Sequence, residues 1–294
     1  MEFKGVYTAL ITPFIENGTK IDYNAFNRLI ERQVEAGIAG VVPCGTTGES
    51  PTLNHIEHRE LIKKTVDIVK GRMKVIAGTG SNSTAEAVEL TRHACEDGAD
   101  AVMLVNPYYN KPSQRGLFEH FKKIAETSTI PVVLYNIRGR TGVNVEISTF
   151  KELLSIKNIH AVKEASGDPA QMAGIQRYCS DRFSLLSGDD NIIPAVMGLG
   201  GRGVVSVASN IYPRKMVRMM NFYLEGKFRE GNLIFYQMYE LMQALFWETN
   251  PVGIKAASEI MGLSEDSLRL PLLSMPVDLK SKLKNILQTL GEDE

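Results

Sequence analysis

The chain has 294 residues, 44% of them hydrophobic and 23% charged, which excludes intrinsic disorder and allows one large domain or two modest ones. Lys and Arg number 33 against 34 Asp and Glu; the net charge of -1 gives no overall field to draw in nucleic acid or an acidic membrane. No apolar run approaches the roughly 20 residues of a membrane helix. The opening Met1-Glu2-Phe3-Lys4-Gly5 lacks the basic segment and apolar core of a leader. The three cysteines, Cys44, Cys95 and Cys179, are scattered and form no Cys-x-x-Cys pair. A reducing, cytoplasmic compartment is the expectation.

Over the first 210 residues, short apolar runs alternate with longer amphipathic stretches. The runs are Val6–Ile11, Gly40–Cys44, Lys74–Ala77, Ala101–Val105, Pro131–Tyr135, His160–Lys163, Phe183–Leu186 and Gly203–Val207. Their hydrophobicity is nearly continuous, which fits strands buried on both faces of a parallel sheet. Asn54-x-x-Glu57 and Ser83-x-x-Glu86 predict capping boxes at two helix starts. After the second, Ala87, Thr91, Ala94 and Cys95 share one face, and Gly98 ends the helix. Eight strand–helix units predict an α/β fold, a (β/α)8 TIM barrel. A doubly wound open sheet is the alternative, although such sheets usually have fewer strands. Beyond about Lys227 no strand-like run remains, and Gly231–Phe246, Gly253–Gly262 and Asp278–Leu290 predict a C-terminal three-helix appendix. The expected organisation is a barrel over residues 1–226 with a helical region, 227–294, packed on it.

Three weak motifs carry little. Gly198-Leu199-Gly200-Gly201-Arg202-Gly203 matches G-x-G-x-x-G, but it follows a helical stretch and precedes a strand, the reverse of a dinucleotide-binding turn. It predicts a helix-to-strand turn and no nicotinamide or flavin. His55-x-x-His58 has no third ligand nearby and predicts a capped helix start, not a metal site. Cys44, alone at a strand end, reads as a small buried hydrophobe.

In a barrel of this kind the active site lies at the C-terminal ends of the strands. Gathered there are Gly45-Thr46-Thr47-Gly48-Glu49, Asn106-Pro107-Tyr108-Tyr109-Asn110, Tyr135-Asn136, Arg140-Thr141-Gly142, Lys163 and Ser187-Gly188-Asp189-Asp190, with Val205 on the last strand. Lys163 stands in the otherwise apolar run His160-Ala161-Val162-Lys163. Desolvation lowers an amine pKa, and a neutral amine attacks carbonyls. The bland alternative is a lysine at the strand end that reaches solvent or pairs with Glu164. Alternation along the strand sends Glu164 to the opposite face. Tyr109, Tyr135, Thr46 and Thr47 offer hydroxyls to relay protons. Arg140 offers a planar fork for a carboxylate. Nucleophile, relay and clamp together suit a keto acid better than a phosphate ester.

These motifs, with Pro107-Tyr108-Tyr109-Asn110-Lys111-Pro112, Gly139-Arg140-Thr141-Gly142, Glu248-Thr249-Asn250-Pro251 and Leu268-Arg269-Leu270-Pro271, resemble those of the dihydrodipicolinate synthase family. The resemblance runs from about Gly5 into the C-terminal helices. It implies condensation of pyruvate with aspartate-4-semialdehyde on the route to diaminopimelate and lysine, with no cofactor or metal. It implies Lys163 as the Schiff-base lysine and Tyr135 as the general acid/base. Thr46 and Tyr109 complete the relay, Tyr109 in a neighbouring subunit's site. Thr47 and the backbone at Val205 hold pyruvate, Arg140 holds the semialdehyde carboxylate, and Gly188 leaves room for substrate. A homotetramer, built as a dimer of dimers, follows from the same resemblance. So does feedback by lysine at Ser50, Pro51, His55, His58, Asn82, Glu86 and Tyr108; Glu86 also reads as the capping partner of Ser83.

Two departures stand out. Arg138 occupies a position where the family commonly has Pro, which predicts a freer loop around Arg140 and a second cation competing for the carboxylate. Val252-Gly253 stands where Ile-Pro is frequent, which predicts a packing change in the appendix. The nearest rival activities are those of N-acetylneuraminate and keto-deoxy-sugar-acid lyases on the same scaffold; Arg140-Thr141-Gly142 and Tyr109 favour the synthase. A non-catalytic ligand-binding barrel is the rival of a different class, and Lys163 with Tyr135 argues against it.

Overall fold

The computed structural model describes residues 2–293. Among them, eight strands are parallel to their neighbours and close into a barrel. They are β1 (Gly5–Ala9), β2 (Gly40–Val42), β3 (Lys74–Gly78), β4 (Ala101–Val105), β5 (Val132–Asn136), β6 (Ile159–Glu164), β7 (Ser184–Ser187) and β8 (Gly203–Ser206). Each pairs with the next in sequence, and β8 returns to β1. The TIM barrel expected from the alternating texture is therefore the observed fold. β2 stops short of Cys44 because that residue turns out of the strand at φ 56°. At the closing seam the chains approach so closely that a Cβ on Gly203 would stand 2.1 Å from the Gly5 carbonyl oxygen. Only glycine fits there.

Helices α1 (Tyr23–Glu35), α2 (His55–Val69), α3 (Thr84–Glu96), α4 (Gln114–Thr127), α5 (Ile147–Leu153), α6 (Pro169–Gln176), α7 (Ile193–Gly198) and α8 (Pro213–Leu224) follow the strands in turn. α2 begins with the predicted capping box: Asn54 accepts from the Ile56 and Glu57 amides, and Glu57 accepts from Asn54 N. α3 has only half of one. Ser83 accepts from Glu86 N, but the Glu86 carboxylate turns to Ser81 and His55 instead. The glycine-rich stretch after α7 is the expected helix-to-strand turn into β8.

Helices α9 (Phe228–Ala244), α10 (Val252–Ile260) and α11 (Val277–Leu290) form the appendix. α9 packs on α8 and α7, and α11 closes over α9 and α10. Gly253 has a packing reason, as expected of this departure: a Cβ there would stand 2.3 Å from the Leu245 carbonyl oxygen. Among the described residues no helix is long and apolar enough to cross a membrane.

Two apolar layers result. Side chains pointing outward from the strands, among them Val162, Leu134 and Val204, join the helices. Those pointing inward, including Phe3, Tyr7, Met103, Ala161, Leu186 and Val205, fill the barrel. Strand alternation puts Lys163 on the inward face with Ala161, and Glu164 on the outward one.

Candidate active site

Lys163 lies inside the barrel, directly opposite Tyr135 in the β5–β6 register and Leu186 in the β6–β7 register. It is 6% exposed, and its Nζ sits 4.0 Å from the centre of the Tyr135 ring. Burial pushes its ammonium down to about 8; Asp189 and Asp190 pull it back up, and Arg140 adds to the lowering. The bland alternatives fall away, because Lys163 does not reach solvent and Glu164 is engaged elsewhere. On the outer face the Glu164 carboxylate accepts from Asn136 Nδ2 at 2.9 Å and from the Ser166 amide at 2.7 Å. Asn136 in turn accepts from Asn106 Nδ2 at 2.8 Å. This amide chain ties β5 to β6 behind Tyr135 and Lys163.

Burial raises the Tyr135 phenol well above its ordinary value of 10.0; Arg140 and a hydrogen bond with Thr46 offset part of that rise. Tyr135 thus keeps its proton at neutral pH and can deliver it. Thr46 is presented by the turn after β2, where Gly48 N donates to Gly45 O at 3.1 Å and Glu49 N to Thr46 O at 3.1 Å. Thr47 is buried and accepts from Asn250 Nδ2 at 2.9 Å. Cys44, just before them, donates to His58 O and is fully enclosed; burial raises its thiol far out of the nucleophilic range, as expected of a packing residue.

Arg140 sits in one helical turn, Arg138–Thr141, closed by Gly142 N donating to Arg138 O at 2.9 Å. With Arg138 in place the turn is closed by backbone hydrogen bonds. Arg138 is exposed and does not line the cavity, whereas Arg140 does. Arg140 Nη2 donates to Asn250 O at 3.1 Å. Val205 is buried within the barrel layer. Gly188 has a packing reason of its own, since a Cβ there would stand 2.5 Å from Ala165 Cβ. Tyr109 is 89% exposed at φ 72° and does not line the cavity.

A cavity of about 470 Å³ opens beside Thr46, Tyr135 and Arg140; Lys163, Thr47, Gly188 and Val205 do not line it. The same cavity is lined by Ser50, Pro51, His55, His58, Glu86 and Tyr108. Asn82 does not line it; its carbonyl accepts from Asn110 Nδ2. The two histidines face separate partners. His55 Nε2 meets Glu86 at 2.9 Å, and buried His58 donates to Gly78 O at 2.9 Å. Ser81 holds Glu86 from the other side, and this hydrogen bond, before His55, keeps the carboxyl below its ordinary range. Among the described residues no group of three or more His, Cys, Asp or Glu is placed to hold a metal.

Sequence reasoning gave no role to Ser81, Asp189, Asn250, Glu49 or Lys255. Asp189 had a signal, its place at the end of β7. Glu49 likewise stands in the motif after β2 and Asn250 in the Glu248-Thr249-Asn250-Pro251 motif, whereas Ser81 and Lys255 had no signal. Glu49 and Lys255 form an ion pair with both side chains fully buried.

An amine held largely free of solvent, a protonated phenol with a threonine beside it and a guanidinium at the mouth can bind a keto acid as a Schiff base and shuttle protons around it. The relatives agree with that chemistry. A 4-hydroxy-tetrahydrodipicolinate synthase of Leptospira biflexa is 51% identical over 99% of both chains. A dihydrodipicolinate synthase of Acinetobacter baumannii, crystallised chloride-inhibited and complexed with pyruvate, superposes with a TM-score of 0.95 at 37% identity, over 98% of each chain. The enzyme of Cyanidioschyzon merolae with lysine bound gives 0.94 at 39% identity, also over 98% of each. The model of the dihydrodipicolinate synthetase family matches residues 2–290. With the barrel, its inward lysine and these matches over nearly its whole length, the chain belongs to the dihydrodipicolinate synthetase family.

Proposed function

We infer that the chain is a 4-hydroxy-tetrahydrodipicolinate synthase that joins pyruvate to L-aspartate-4-semialdehyde through a Schiff base at Lys163. The observation that carries this reading is the Lys163 amine, buried inside the barrel against Tyr135. The amine adds to the pyruvate ketone, and one water leaves. The resulting iminium loses a methyl proton to become an enamine, which attacks the aldehyde carbon of the semialdehyde. The semialdehyde's own amino group then displaces Lys163 from the imine carbon, closing the ring and freeing the enzyme. Tyr135 and Thr46 pass the protons; Thr47 holds the pyruvate carboxylate, and the Val205 backbone also contacts pyruvate. Arg140, at the mouth, receives the carboxylate of the second substrate.

Tyr109 completes the relay from a second copy, which its exposure supports. The assembly is a homotetramer of paired dimers, working in the cytoplasm, with residues 1–226 as the catalytic barrel and 227–294 as its helical cover. Lysine, the end product, binds where the cavity is lined by Glu86 and His55, which receive its charged groups.

Incubation with pyruvate and borohydride is the deciding experiment. A stable mass gain mapped to Lys163, lost in Lys163→Met, is expected. An unmodified Lys163 overturns the mechanism. Faster cleavage of N-acetylneuraminate or keto-deoxy-gluconate than consumption of pyruvate with the semialdehyde overturns the substrate assignment.

A further inference from the structure

The turn that presents Thr46 and Thr47 is bracketed by two non-glycine residues in the left-handed region, Cys44 at φ 56° and Glu49 at φ 54°. Such conformations persist only where the surroundings over-determine the backbone. At Glu49 the surroundings come from the appendix. One carboxylate oxygen pairs with Lys255 of α10, and the other accepts the Arg269 amide at 3.1 Å. Lys255 Nζ also donates to Ser267 O at 2.8 Å and lies 4.1 Å from the centre of the Phe14 ring. A buried ion pair is a poor way to gain stability, because well-packed apolar side chains of similar volume usually serve as well or better. What the pair adds is direction: the ion pair, with the charge-assisted hydrogen bond from the Arg269 amide, fixes where the turn sits and how it is rotated, which apolar contact does not.

We propose that Glu49 and Lys255 are positioning residues for catalysis: the pair registers the Thr46–Thr47 hydroxyls against Lys163 and Tyr135 without touching substrate. This rests on the reading of those threonines given above. The same stretch of the appendix supplies Asn250, which donates to Thr47 Oγ1 at 2.9 Å and accepts from Arg140 at 3.1 Å. The hydroxyl turn and the guanidinium are thus aligned to one short segment, residues 250–255. Ser50 and Pro51, immediately after Glu49, line the cavity beside Thr46.

The test compares Lys255→Met, Glu49→Gln and the double variant in the full chain. Lys255→Met strands a buried carboxylate and should lower the melting temperature; the double variant should recover it, having no unpaired charge. In the double variant kcat should nevertheless stay roughly 10–100-fold below wild type, the scale of a small misplacement of reacting groups. A double variant with recovered melting temperature and wild-type kcat overturns the proposal, since the pair is then only structural. Should the double variant not fold, Glu49→Gln decides: it keeps an oxygen for the Arg269 amide but loses the charge, and an unchanged kcat overturns the proposal equally. Wild-type protein that pyruvate and borohydride leave unlabelled at Lys163 overturns the underlying reading instead.

Discussion

Lys163 owes its usefulness to where it titrates. With its pKa at about 8, about a tenth of the amine is free at pH 7, against about three parts in ten thousand for an ordinary lysine at 10.5. The initial rate of borohydride labelling with pyruvate should therefore climb with pH, bend near 8 and flatten above it. A rate still rising tenfold per pH unit at pH 9 would show an ordinary, solvated lysine. The same burial bears on stability. Because the folded-state pKa is depressed, the native chain gives up this proton before the unfolded chain does. Between about 8 and the ordinary value of 10.5 the unfolded chain binds more protons, so this group's contribution to stability rises with pH there. Below about 8 the buried charge is a constant cost. The enzyme accepts that cost because the barrel interior is what makes the amine reactive.

At the scale of elements, helix α2 carries His55 and His58 to the cavity, and its start is fixed by the reciprocal Asn54–Glu57 box. Asn54→Ala should cost about 1 kcal/mol, read as a shift in the urea midpoint with unchanged slope. Ser83→Ala should cost less, because its bond to Glu86 N is long, 3.5 Å, and unreciprocated. The comparison shows what a sequence can carry. The eight strands were legible because strands buried on both faces must be apolar along their whole length. Alternation then sufficed to turn Lys163 inward and Glu164 outward. The Ser83 box was misread because Glu86 has better partners in Ser81 and His55, which only the folded chain brings near. Around Arg138 the turn is closed by backbone hydrogen bonds, Gly142 N to Arg138 O and Thr141 N to Ile137 O, that any residue at 138 can make. The Glu49–Lys255 pair was invisible for a plainer reason: periodicity says which face a residue occupies, not which distant residue it meets. In Gly253-Ile254-Lys255-Ala256 a lysine reads as solvent-facing until the turn after β2 is folded onto it.

At the scale of the whole molecule, one chain holds the amine, Tyr135 and Thr46 together but leaves Tyr109 in solvent. If Tyr109 serves a second copy, two defective variants can repair each other. Mixed and allowed to exchange subunits, Tyr109→Ala and Lys163→Met should regain activity, up to roughly a quarter of wild type for random pairing in two-fold dimers. No recovery despite proven exchange would confine the relay to a single chain. The seam where Gly203 meets Gly5 sets a condition on how such a chain comes into being. Hydrogen bonds across this region span nearly the entire barrel sequence, as between Ser209 and Thr8, 201 positions apart. During synthesis the first strand leaves the ribosome long before its last neighbour exists, with one backbone edge bare and open to mispairing. A nascent chain therefore stays vulnerable through most of its translation, and the ring becomes safe from foreign strands only when its final stave arrives.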